Sequence, residues 1–203
     1  MNPARKFLAI AFLFVAFSGG AFFLFKALEG GRELVDATRL PEPMALPEFQ
    51  LVDHTGSPIT RDRFNGQWQL VFFGFTNCPD VCPATLTQLS IAKQRVETDG
   101  GAFPEIVLVS VDPERDAPDT LARYVSGFGE GVTGITGDPE QLSALTGPLG
   151  IFYAKSGDLD GNYSVDHSSV VLLINESAEW HAVFSAPHTV DNFVHDVQIL
   201  IGG

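Results

Sequence analysis

The chain has 203 residues, a net charge of −13 at neutral pH, only two cysteines and no internal repeat. That length allows one domain with an appendage, and an acidic surface without a polybasic patch excludes nucleic acid as a partner. No Walker-type, dinucleotide or other Gly-rich phosphate motif occurs, which sets nucleotide chemistry aside.

The appendage comes first. From Phe7 to Phe25 no charge interrupts an apolar run, and Ser18 is its only polar side chain. A spanning helix needs about 20 such residues, whereas the apolar core of a cleaved signal peptide has about 7–15. Ala16-Phe-Ser18 imitates a cleavage site, but the run continues to Phe25, so an uncleaved anchor is expected. Arg5 and Lys6 precede it, while all 25 acidic residues follow it. Positive charge stays inside, so the N-terminus is cytoplasmic and the remainder lies outside. In a bacterium this is a single-pass inner-membrane protein with its C-terminal domain in the periplasm (the intermembrane-space side of the inner membrane if mitochondrial). Disulfides are tolerated there. Residues 1–26 are read as cytoplasmic N-terminus and anchor. Residues 27–47, with Gly30-Gly31, Pro41, Pro43 and Pro47, are read as a flexible linker, and 48–203 as the folded domain.

In the domain, Phe49 to Val52 and Ser57 to Thr60 flank a turn at Asp53-His-Thr-Gly56, a small hairpin. Leu70 to Phe75 is apolar throughout, the pattern of a strand buried on both faces. It runs into Asn77-Cys78-Pro-Asp-Val-Cys82-Pro83, followed by an amphipathic helix from Ala84 to Val96. Glu105 to Val111 is a second buried strand. The polar loop Asp112-Pro-Glu-Arg-Asp-Ala-Pro118 precedes a helix from about Asp119 to Phe128. Val132 to Thr136 is a short strand, and Asp138 caps a helix that has Pro139 in its first turn and runs towards Leu149. Lys155 to Asn162 reads as a short acidic loop. Ser169 to Ile174 and Trp180 to Phe184 are antiparallel strands. Thr189 to Ile201 is a closing helix with Val190, Phe193, Val194, Val197 and Ile201 on one face. The layout is α/β and thioredoxin-like, with an N-terminal hairpin, behind a single transmembrane helix.

The cysteines stand where a strand gives way to a helix, whose N-terminus lowers a thiol pKa and favours thiolate. A residue before proline avoids the right-handed helical region. Cys78 and Cys82 are therefore expected in extended or turn conformations, with Pro83 at the first helical position. Such a loop closes a disulfide, structural or redox-active, or presents two sulfurs to one soft metal ion. A metal needs a third donor, for which histidine is best suited. His195 in the closing helix, His181 in a strand, His54 in a turn and His188 in a loop read as surface or structural residues. His167, where a polar segment enters an apolar strand, is the favoured candidate. Asp158 and Asp160 are considered as a fourth ligand.

Three motifs, in order, resemble the Sco/SenC copper proteins: Cys-Pro-x-x-Cys-Pro at Cys78 to Pro83, Asp-Pro-x-Arg-Asp-x-Pro at Asp112 to Pro118, and Val-Asp-His-Ser at Val165 to Ser168. The strand Phe72-Phe-Gly-Phe-Thr76 is also similar to the family's, and the resemblance extends from about Phe49 to the C-terminus. It implies a thioredoxin-like domain that binds copper, Cu(I) and/or Cu(II), through Cys78, Cys82 and His167. It further implies a membrane-anchored metallochaperone for the CuA centre of cytochrome c oxidase. Its partners would be oxidase subunit II and another periplasmic copper chaperone. The alternative is a thiol–disulfide oxidoreductase that reduces the CuA-site cysteines of subunit II. Cys78 and Cys82 then act as redox-active thiols, and His167 is dispensable. A peroxidase using Thr76 ranks below both. Asp166 neighbours His167 but points to the other face of a strand. Asp112 and Arg115 are read as an ion pair or cap that fixes their loop.

Overall fold

The computed structural model describes residues 33–158 and 162–202. The expected membrane anchor lies outside these residues; among the described residues no helix is long and apolar enough to cross a membrane. In chain order the elements are β1 (Ala37–Ala45), β2 (Leu51–Asp53), β3 (Pro58–Ile59), β4 (Gln69–Gly74), α1 (Val81–Thr98), β5 (Glu105–Ser110) and α2 (Pro118–Val125). They continue with β6 (Val132–Thr136), α3 (Pro139–Thr146), β7 (Tyr153–Asp158), β8 (Asn162–His167), β9 (Val171–Ile174), β10 (Glu179–Phe184) and α4 (Val190–Ile201).

Eight strands form one sheet in the order β1-β10-β9-β4-β5-β6-β2-β3, and β7 pairs with β8 alone. β4, β5 and β6 run parallel, in the register Leu70↔Ile106 and Ile106↔Val132. β9 meets β4, and β2 meets β6, antiparallel. Parallel neighbours need a crossover, which α1 supplies between β4 and β5. β4 is buried at all six positions and β5 at five of six, matching their continuous apolar runs. α1 buries Cys82, Leu86, Leu89, Ala92 and Val96, one stripe at helical spacing, and it packs on α4. The site therefore begins at the buried C-terminal end of β4, and α1 carries it outward.

Two expectations need correction. The stretch read as a flexible linker holds β1, which extends the sheet along β10. Pro41 and Pro43 fit because this is an edge strand whose register breaks between Arg39 and Met44. Its start is fastened by Asp196 of α4, whose buried carboxylate accepts the backbone N–H groups of Val35 (2.9 Å), Asp36 (2.8 Å) and Ala37 (2.7 Å). The stretch read as an acidic loop lies mostly in the β7–β8 hairpin, where Tyr153 stands opposite His167.

Candidate metal centre

Cys78 sits in the turn after β4, its N–H donating to the carbonyl of Phe75 at 3.2 Å. Cys82 is not extended, as expected, but lies in the first turn of α1, two positions after the N-cap Asp80. Pro83 is thus the third helical residue. The first four N–H groups of a helix have no internal partner, so a proline there removes no helical bond. The Cys82 N–H donates instead to Cys78 Sγ at 3.4 Å.

His167 ends β8 and brings Nε2 to 3.4 Å from Cys82 Sγ. Its Nδ1 is 3.0 Å from the Ser168 carbonyl, which can only accept. A proton on Nδ1 satisfies that carbonyl, and in the neutral ring the Nε2 lone pair then faces the cysteines. Phe72 and Phe75 meet the imidazole edge to face at centroid distances of 5.9 and 5.8 Å, which fixes its plane. The two sulfurs and the imidazole donor all lie within 4.8 Å of one another. Cys78 and His167 line a cleft of about 330 Å3 together with Phe75, Val81 and Val165 and the exposed Asp80 and Asp166, while Cys82 is fully buried. Both cysteines are free thiols.

The expected lowering of the thiol pKa does not hold for Cys82. Burial pushes this thiol well above its ordinary range, and the neighbouring Cys78 pushes further in the same direction. With Cys82 sealed in the core, desolvation of a thiolate outweighs the helix dipole. Cys82 keeps its proton at neutral pH.

The other histidines serve their own surroundings. His54 Nδ1 accepts the Gly134 N–H at 3.1 Å, and His188 Nε2 donates to the Ser169 carbonyl at 2.8 Å. His181 packs edge-on against Trp68 at 5.2 Å, and His195 Nδ1 lies 2.8 Å from Asp196. Asp160 and the side chain of Asp158 lie outside the described residues. The Thr76 hydroxyl is committed to Asp116 at 2.6 Å.

Residues beside the donors complete the arrangement. Asp116, fully buried, accepts from the Thr76 N–H (2.9 Å) and the Ser110 hydroxyl (2.6 Å) as well. Asp112, also fully buried, accepts from Arg115 Nε and from the Tyr163 hydroxyl at 2.7 Å. Arg115 Nη1 donates to the Tyr163 carbonyl at 2.9 Å, and its guanidinium lies 3.8 Å from the Tyr163 ring centre. The Asp112–Arg115 ion pair was legible in the motif; Tyr163 was not. Gly74 was missed as well, although a lone glycine inside a strand pattern signals close approach by a neighbour. A Cβ built there would lie 2.8 Å from Cys82 Sγ.

The family model for SCO1/SenC matches residues 38–202. The chain is 36% identical over 175 residues to the mitochondrial protein SCO2 homolog of Homo sapiens, covering 84% of this chain and 66% of that one. It is 33% identical over 149 residues to the mitochondrial protein SCO1 homolog 1 of Arabidopsis thaliana, covering 73% and 45%. It spans less than two thirds of either relative. Among solved structures it resembles Arabidopsis thaliana ScoI with copper bound, with 31% identity and a TM-score of 0.73 over 78% of this chain and 99% of that one.

Proposed function

The chain belongs to the SCO1/SenC family, and on that basis we propose that it is a membrane-anchored copper carrier for assembly of the CuA centre of cytochrome c oxidase. Cys78, Cys82 and His167 hold copper as cargo. The observation that carries this reading is the convergence of two sulfurs and one imidazole nitrogen within 4.8 Å. Ligand bonds of about 2.0–2.3 Å to one ion put donors up to about 4 Å apart. These residues therefore fit a shared ion after closing by less than about 1 Å. Thiolates select Cu(I), and imidazole serves either oxidation state. A relative of similar fold holds copper.

The chain's own residues divide the work. Cys82 keeps its proton until copper displaces it, so loading releases a proton. The Ser168 carbonyl keeps the His167 tautomer that offers Nε2, and the two phenylalanine rings hold its plane. Three donors leave one coordination position unfilled, and Cys78 and His167 face the cleft from which an incoming ligand begins exchange. Oxidase subunit II is the recipient and another periplasmic copper chaperone the donor. Phe7 to Phe25 anchors the domain on the periplasmic side of the inner membrane.

A second reading, a thiol–disulfide oxidoreductase acting on subunit II, is favoured by two free thiols joined through the Cys82 N–H to Cys78 Sγ contact. The pair would pass two electrons and two protons to a partner disulfide and close its own, without using His167. The test is a Cu(I) titration of the reduced full-length chain beside Cys78→Ser, Cys82→Ser and His167→Ala. One equivalent of tight binding, weakened in every variant, supports the carrier. A His167→Ala chain that binds copper and supports oxidase assembly like the native one favours the oxidoreductase.

A further inference from the structure

The two halves of the site are held by different sheets. Cys78 and Cys82 follow β4 of the main sheet, whereas His167 ends β8, whose only strand partner among the described residues is β7. His167 lies four residues before Val171, which β9 sets opposite Phe72 of β4, so the main sheet brings this segment near the cysteines, 85 residues from Cys82 in sequence, but no pairing with the main sheet fixes β8 itself. Side-chain contacts complete the placement, and the loop between β5 and α2 supplies them on both sides. At one end Asp116 gathers Thr76, two residues before Cys78, through its N–H and hydroxyl. At the other end Asp112 and Arg115 grip Tyr163 of β8 by its hydroxyl, its carbonyl and its ring face. Phe75 stands between the halves, with the guanidinium 5.7 Å from its ring centre and the His167 imidazole 5.8 Å away.

We infer that the loop from Asp112 to Pro118 is a bracket that sets His167 against the cysteines, with Arg115 as its positioning residue. Asp112 is fully buried, and its charge is tolerable only while the guanidinium and the Tyr163 hydroxyl remain in place. The planar fork of arginine bonds the Asp112 carboxylate through Nε and the Tyr163 carbonyl through Nη1 while stacking on the Tyr163 ring, a spacing and a flat face that the compact ammonium of lysine lacks. The hairpin is thereby tied to a rigid buried anchor, although it shares no strand pairing with the main sheet.

The inference rests on the proposed copper site, and its test separates the two. Cu(I) affinity is measured by chelator competition on the full-length native chain, Arg115→Lys, His167→Ala and the double variant. The nuclear Overhauser contact between the His167 and Phe75 rings is followed in the metal-free proteins. Arg115→Lys is expected to weaken Cu(I) binding about tenfold in the native background. With His167 already absent the loss shrinks to under about twofold, and the ring contact weakens without metal. Tyr163→Phe, which removes one hydroxyl and keeps the ring, shifts both readouts in the same direction and covers the case that Arg115→Lys fails to fold. Equal losses with and without His167, or an unchanged affinity and ring contact, overturn the bracket. A native chain that binds no copper overturns the proposed function instead; the metal-free ring contact then decides the bracket, which fails if Arg115→Lys leaves it unchanged.

Discussion

Gly74→Ala probes the packing under the cysteine pair. Gly74 ends β4 opposite Ser110 of β5, and an added Cβ would meet Cys82 Sγ at 2.8 Å, Phe72 Cε1 at 3.0 Å and Leu108 Cδ1 at 3.4 Å. Carbon contacts are optimal at about 3.5–4.0 Å, so the methyl is roughly 0.7–1.2 Å too close to the sulfur. The backbone at Gly74 has no positive φ, so the whole cost is packing. Cys82 has a single side-chain torsion and is fully buried; it escapes only by rotating Sγ or by moving the start of α1. Either escape breaks the 3.4 Å approach to His167 Nε2. Overpacking of this kind costs about 1–3 kcal/mol, and Cu(I) affinity should fall about 10–100-fold. Urea denaturation reads the first and chelator competition the second. Gly127→Ala, where a Cβ meets nothing within 4 Å, is the control and should stay within about 0.5 kcal/mol. Native stability together with native affinity in Gly74→Ala would refute the packing of the sulfur described here.

Two further outcomes follow from the titrating groups. Because burial holds the proton on Cys82 through neutrality, a rising pH eases the competition between proton and copper. Apparent Cu(I) affinity should climb at least about tenfold per pH unit around neutrality, and an affinity independent of pH would contradict proton displacement. At Asp196 burial pushes the carboxyl up, but the N–H groups of Ala37, Val35 and Asp36, with His195, outweigh it and hold the group below the ordinary range. Such a group stabilises the fold above its unfolded value of about 3.9, and the contribution fades as pH falls through the lower folded value. Asp196→Ala should cost roughly 2–4 kcal/mol at pH 7 and much less in strong acid. An equal cost in urea at both pH values would contradict the clamp on β1.

The elements that carry the cysteines were readable because each obeys one simple pattern. Leu70 to Phe75 is an unbroken apolar run, and α1 repeats its apolar residues at helical spacing, so strand, crossover helix and paired cysteines are legible in the sequence. Elements held by polar contacts were harder to read. β1 contains two prolines and is fastened by Asp196, more than 150 residues away in sequence; no local window contains that information. β8 offers only Tyr163 and Val165 as apolar residues pointing one way, too few for a period-two signal. The helical conformation of Cys82 ran against the usual restriction before proline, because the turn from Phe75 lets its N–H reach Cys78 Sγ. His167 was favoured over four other histidines from its motif and its place at a strand entrance. Its approach to Cys82, and the dependence of that approach on Tyr163 and Arg115, needed three dimensions.

The most direct test of a copper site built from Cys78, Cys82 and His167 is X-ray absorption at the copper edge of the singly loaded full-length chain and of His167→Ala. The account predicts two sulfur ligands and one nitrogen in the native protein, with the nitrogen lost or replaced by solvent in the variant. A coordination shell that is identical in both proteins would remove His167 from the site and leave two thiols acting without it.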